Sequence, residues 1–287
     1  MTAAPVSTWW QLFGDAVTTA VLLGAILPLL GLLLALRRQV FLTAAVGQAA
    51  NLGMAVALWA GVETGHAASA AAHATLLAAG LVAAAATAAA ALRALSTGGG
   101  AFEARAAWGF LAGGALTMLL LADAPHGLQE VQRLFLSSVL GASPTDVGIA
   151  IGLAVGVGLA VWRARRQLLL WAIDPSIAAA YGVRVRRWDL GIGAFVGVTI
   201  GFAIHATGLT MTFGLCALPV LLAREVCRVV ATALWLAPLA GAAAAAGGFA
   251  AGEGFDLPPG QCAVALLAVA VAVAGLARRV RRVRPPR

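Results

Sequence analysis

Residues 171–182 read WAIDPSIAAAYG. Asp174 carries the side chain of an N-cap, Pro175 suits the first helical position, and Gly182 suits the residue just past a helix C-terminus. The pattern predicts a short helix over 174–182, with Ile177 and Tyr181 four residues apart on one face. Arg163, Arg165 and Arg166 precede it, and Arg184, Arg186 and Arg187 follow it. In a membrane protein such an excess of arginine marks the cytoplasmic side. The stretch therefore reads as a rigid handle offered to the cytoplasm, on which a partner can push. The alternative is a helix resting on lipid headgroups.

The rest of the chain supplies the membrane. Of 287 residues 62% are hydrophobic and only 10% charged, and the mean hydropathy is +0.95. Soluble domains are about a quarter charged, so this is an integral membrane protein. All 19 basic residues are arginine. Without lysine there is no standard Walker A phosphate loop and no Schiff-base chemistry. The net charge of +8 gathers in a few loops and in the tail 278–287, a pattern that suits anionic lipid and not nucleic acid. Cys216, Cys227 and Cys262 stand at no metal-ligand spacing and imply no disulfide framework. The N-terminal MTAAPVSTWW lacks the basic start of a cleavable signal, and Trp9 and Trp10 read as interface anchors.

Runs of roughly 20 apolar residues predict spans near 15–36, 40–61, 68–95, 106–122, 146–162, 188–206, 207–223, 229–247 and 261–277. The turn at 206–208 is too tight for an ordinary loop, so 188–223 is either two spans or one span with a broken or re-entrant helix, giving eight or nine. Arg37, Arg38, Arg93, Arg105, Arg224, Arg228 and the tail mark the cytoplasmic ends, predicting N-out and C-in with 127–145 outside or re-entrant. Gly148, Gly152 and Gly156, like Gly193, Gly197 and Gly201, recur every four residues, and with the alanine runs 83–91 and 242–246 they predict close helix packing. One membrane domain, 1–287, is expected.

Polar groups inside the spans are the candidates for function. Gln48 and Asn51 share a face of the second span and read equally as interhelical hydrogen bonds or as pathway lining. His73 is a packing residue or a ligand, and Cys216 a buried thiol or a soft ligand for a thiophilic metal. Glu63, His66, Asp123 and His126 fall in outer loops without a metal motif. Pro219 predicts a broken helix or a simple kink just before Arg224. No Ser-His-Asp, paired-carboxylate or HExxH arrangement occurs, which argues against an enzyme. The scarcity of intramembrane carboxylates argues against a proton-coupled secondary carrier.

Five stretches in order carry a family likeness. LLALRRQVFLTAAVGQAANLGMAVAL (33–58), LFLSSVLGASPTDVGIAIG (134–152), IDPSIAAAYGVRVRRWD (173–189), ATGLTMTFGLCALPVLLARE (206–225) and FDLPPGQCAVAL (255–266) resemble the membrane permease of zinc/manganese-type ABC metal-ion importers. The third is similar to that family's coupling segment, DPE.A...G. The resemblance implies that Asp174, Pro175, Ile177, Tyr181 and Gly182 dock an ATPase. It implies a homodimeric channel in the bacterial cytoplasmic membrane and two cytoplasmic ATPase subunits that hold ATP and magnesium. It implies an extracytoplasmic solute-binding protein, and a metal ion as cargo with no cofactor on this chain. Gln48, Asn51, His73 and Cys216 are then the candidate pathway residues. The family's second helix reads GD.L.HA.LPG, and here Ala44 and Gln48 stand at its Asp and His while Ala49 and Gly53 match. A dication about 4 Å from a carboxylate gains roughly 8 kcal/mol of gross attraction at an effective dielectric of ~20, and Ala44 offers none of it. A chelated or non-metal cargo on the same fold is therefore the alternative.

Overall fold

The computed structural model describes residues 6–60, 70–96, 102–122 and 139–283. Among these the chain is helical and without strands: α1 (Val6–Leu36), α2 (Leu42–Trp59), α3 (Ala70–Ser96), α4 (Phe102–Ala122), a 3-10 turn (Val139–Gly141), α5 (Pro144–Ile173), α6 (Pro175–Ala180), α7 (Val185–Val226), α8 (Val230–Phe255) and α9 (Pro259–Val283). All but α6 are long and apolar enough to cross a membrane, which makes eight candidate spans among the described residues. The expectation of an all-helical, polytopic membrane protein holds, at the lower of the two predicted counts.

The predicted bounds differ in two instructive places. The fifth span was expected to end at 162, but α5 runs 30 residues to Ile173. At 1.5 Å per residue it is about 45 Å long, against a hydrocarbon core of about 30 Å. Arg163, Arg165 and Arg166 thus ride on a projecting helical end and not in a loop. Its start is fixed by a reciprocal cap: the Ser143 N–H and hydroxyl both donate to Asp146 at 2.8 Å, and the Asp146 N–H donates back to the Ser143 Oγ at 3.3 Å, with Pro144 at the first helical position. The second place is α7. Its 42 residues are two rods joined at Gly208, whose φ of 81° and ψ of 165° are open to glycine alone. The expected spans 188–206 and 207–223 meet there. Pro219, read as a break or a simple kink, stays inside the helix, and the non-helical residue is Gly208.

Two compact units make up the chain. The first comprises Met1–Leu32, Ser138–Ala160 and Thr210–Arg287. Its helices approach at small residues: a methyl on Gly24 would lie 2.7 Å from the Gly241 carbonyl oxygen, and one on Gly31 would collide with that of Cys216. Exposed Arg278 pairs with Glu225 at 3.2 Å. The second comprises Leu33–Ser137 and Val161–Leu209. Here α7 lies against the alanine run of α3: methyls on Gly193 and Gly197 would sit 2.6 Å from the Ala89 Cα and 2.5 Å from the Ala84 carbonyl oxygen. These glycines and alanines pack as expected. Gly148 and Gly152 do not, since no described residue lies within 4 Å of a methyl placed on either. Only 11% of the α5 span is buried, so that glycine face looks away from its own chain.

Candidate functional site

The handle forms as read, and its ends are closed by its own sequence. Asp174 is extended (φ −148°, ψ 106°) and accepts from the backbone N–H groups of Ser176 (2.8 Å) and Ile177 (3.3 Å), with Pro175 opening α6. Hydrogen bonds from the Ser176 side chain, then from the backbone of Ile177 and Ser176, hold the Asp174 carboxyl below its ordinary pKa. At the other end Gly182 takes φ 81°. Its N–H donates to Ala179 at 2.9 Å and that of Val183 to Ala178 at 3.0 Å, the paired bonds that close a helix through a left-handed residue. Ala178 is fully buried beneath the turn, while Ile177 is 48% and Tyr181 76% exposed. Beside Tyr181 opens a pocket of about 320 Å³ lined by Gln167, Gly182, Val183, Arg184, Arg187 and Trp188. The result is a stiff knob with an apolar-aromatic crown and a cationic shoulder. Polar satisfaction at both ends makes it hold its shape without a partner.

Beneath the knob lies a cluster that reasoning from sequence did not pick out. The Arg37 guanidinium stacks 3.9 Å over the Trp171 ring and donates to the Trp171 carbonyl from Nε (3.3 Å) and Nη2 (3.0 Å). Its Nη1 stands 3.5 Å from Asp189 Oδ1, which also accepts from the Trp171 indole at 2.9 Å. The Arg37 and Asp189 side chains are 5% and 1% exposed. Burial lowers the Arg37 pKa and the Asp189 charge opposes that shift. Arg37 had been read only as a marker of the cytoplasmic side. The available signal was Asp189, an acid at the head of an apolar run that requires a buried partner.

The polar residues of α2 form a second locus in the same unit. At about 100° per residue, Gly47, Asn51, Ala44 and Gln48 share one sector of the helix. Gly47 abuts α7, where a methyl would meet Ile204 Cδ1 at 2.6 Å, and Gln48 lies against Gly113 and Gly114 of α4. Ala44, Gln48 and Asn51 are 6%, 3% and 0% exposed. Among the described residues, both amide atoms of Asn51, Oε1 of Gln48 and Oγ1 of Thr43 have no hydrogen-bond partner. Buried polar groups are normally satisfied, so this sector is the place in α2 where an incoming ligand would be welcomed.

Cys216 is buried in the first unit with its backbone against Gly31. His73 is in the first turn of α3, its side chain outside the described residues, as are Glu63, His66, Asp123 and His126 and the side chains of Trp9 and Trp10. Among the described residues no three His, Cys, Asp or Glu side chains gather to hold a metal.

Comparison with known proteins adds an independent line. The model of the ABC 3 transport family matches residues 10–278. The chain is 25% identical over 146 residues to the Yersinia pestis chelated iron transport system membrane protein YfeD; the match covers 51% of this chain and 49% of that protein, so the chain spans about half the length of the curated relative it matches. Its fold is similar to PsaBC from Streptococcus pneumoniae solved in complex with Fab, with a TM-score of 0.75 and 19% identity over 93% of each chain. It is also similar to a protein described as a metal-chelate type ABC transporter in an inward-facing conformation, with a TM-score of 0.69 and 15% identity over 96% of this chain and 90% of the other. At these identities the structural likenesses establish the fold.

Proposed function

This chain belongs to the ABC 3 transport family, and on that premise we propose that it is the membrane-spanning permease subunit of an ABC importer for a divalent transition-metal ion. It is a multi-pass membrane protein, and in this reading it sits in the bacterial cytoplasmic membrane, N-out and C-in, with α6 on the cytoplasmic side. Two copies form the channel, two cytoplasmic ATPase subunits bind ATP and magnesium and seat on the two α6 knobs, and a solute-binding protein delivers cargo from outside. In this reading ATP hydrolysis belongs to the partner subunits.

The observation that carries this reading is the capped α6 with Ile177 and Tyr181 exposed on its crown. An apolar anchor on a rigid post is what a docking interface uses. Replacing Ile177 or Tyr181 with Asp should abolish uptake while the protein still reaches the membrane in normal amount. Undiminished uptake in both variants would refute the docking role.

A second reading is favoured by the α2 sector: the cargo is a chelate or a neutral ligand. Ala44 and Gln48 offer no charge to a bare dication, while the unpartnered amides of Asn51 and Gln48 suit a cargo that both donates and accepts hydrogen bonds. The likeness to YfeD, a membrane protein of a chelated iron transport system, agrees with this reading.

A further inference from the structure

We propose that Arg37, Trp171 and Asp189 form a clamp that carries displacement of α6 into the cytoplasmic end of α1; the inference rests on the reading of α6 as the ATPase-docking knob. Residues 174–184 join the end of α5 to the start of α7, with Trp171 in the last turn of α5 and Asp189 in the second turn of α7. Those two residues are tied to each other by the 2.9 Å bond from the indole to the carboxylate. The knob is therefore a lever closed at its base, and a push on its crown moves the base as one piece. Arg37, the residue just after α1, grips both sides of that base. It holds the ring of Trp171 by stacking, its carbonyl by two hydrogen bonds, and the Asp189 carboxylate by charge. The carbonyl is one of the last-turn acceptors of α5 that have no partner within their own helix, and a cation there also meets the negative end of the helix dipole.

The turn that aims Arg37 is itself constrained. Arg38 adopts φ 61°, the left-handed region that a residue with a side chain rarely occupies. It closes α1 with bonds from Arg38 N–H to Ala35 at 3.0 Å and from Gln39 N–H to Leu34 at 2.8 Å. The clamp is also incomplete in one respect. Asp189 Oδ2 is buried without a hydrogen-bond partner among the described residues, and Arg37 reaches the carboxylate at Oδ1, at 3.5 Å. Guanidinium and carboxylate prefer two parallel, shorter bonds. A small shift of the lever base toward α1 would complete that pair and satisfy the orphaned oxygen. The clamp thus has a second arrangement close at hand, the property required of an element that switches instead of yielding continuously. None of the three residues touches cargo; they are positioning residues.

Hydrogen–deuterium exchange on the assembled transporter, chain plus its ATPase subunits in nanodiscs, with and without vanadate-trapped Mg-ATP, tests the clamp. Two peptides are read: 175–183 over the knob and 33–42 over the turn after α1. In the native chain both should change exchange on nucleotide trapping. In Asp189→Ala, and in the volume-keeping double variant Arg37→Met with Asp189→Leu, the 175–183 response and ATPase retention should persist while the 33–42 response falls about tenfold. The double variant guards against simple misfolding, because apolar replacement of a buried ion pair is generally tolerated. A 33–42 response that survives in the double variant overturns the clamp, as does its absence from a native complex whose knob responds. A native chain that retains no ATPase, or a knob that ignores nucleotide, overturns the importer reading instead.

Discussion

The knob at 174–182 and the polar sector of α2 invert each other's chemistry. The knob is exposed, yet its helix-end hydrogen bonds are met from within: Asp174 at one end, the Gly182 turn at the other. The α2 sector is buried, yet Asn51, Gln48 and Thr43 leave polar atoms unmet. Water could satisfy the knob at little cost, whereas Asn51, being buried, depends on a neighbour, an ordered water or a ligand. An internally satisfied exposed element keeps one shape and can transmit force. An unsatisfied buried one stores unfavourable energy that binding can release, since an unpaired buried polar group costs about 1–3 kcal/mol.

The largest effect expected from that contrast is at the crown. Ile177→Asp or Tyr181→Asp should reduce uptake to background with normal membrane abundance, measured by cargo accumulation and immunoblotting of membrane fractions. Next comes the buried sector. Asn51→Leu should cut uptake by at least about tenfold, yet leave the purified protein as stable or more stable, by about 1–3 kcal/mol, because an orphaned amide is removed. Lower thermal stability together with normal transport would mean that Asn51 is structural glue. The companion change, Ala44→Asp with Gln48→His, sharpens the same point: a metal-ion permease should gain or shift metal selectivity in competition uptake, and a permease for a neutral chelate should not.

Packing supplies the third test. Gly197→Ala sets a methyl 2.5 Å from the Ala84 carbonyl oxygen and should destabilise the second unit by about 1–3 kcal/mol. Gly152→Ala meets nothing and should change the isolated chain by no more than about 0.5 kcal/mol. The pair compares a glycine face used within the chain with one turned outward. The smallest effect concerns the cap. The folded-state pKa of Asp174 is depressed, so its contribution is present above the unfolded pKa and is lost as pH falls through the folded value. Amide protection over 175–181, taken relative to the intrinsic exchange rate at each pH, should therefore fall on acidification below the usual carboxylate range. Asp174→Asn, a neutral cap of similar strength, should remove that pH dependence and leave transport near normal.

Much of this was legible in the order of residues because the signals are local. Hydropathy runs set the membrane helices, since a bilayer needs every backbone group bonded within its own segment. Asp-Pro and the later Gly set α6, because caps are written within three residues of where they act. The chain fixed the absence of lysine, and with it the absence of a standard ATP loop, and it fixed Ala44 and Gln48 where the resembling family keeps charge. Tertiary structure alone decided which of two identical glycine patterns would pack: Gly193, Gly197 and Gly201 have the alanines of α3 opposite them, and Gly148 and Gly152 have open space. It also decided that Arg37, Trp171 and Asp189, up to 152 residues apart, share one buried cluster, and that Asn51 meets no hydrogen-bond partner among the described residues. Partnership between side chains distant in sequence depends on which helices lie side by side, and helices bonded only within themselves carry no record of their neighbours.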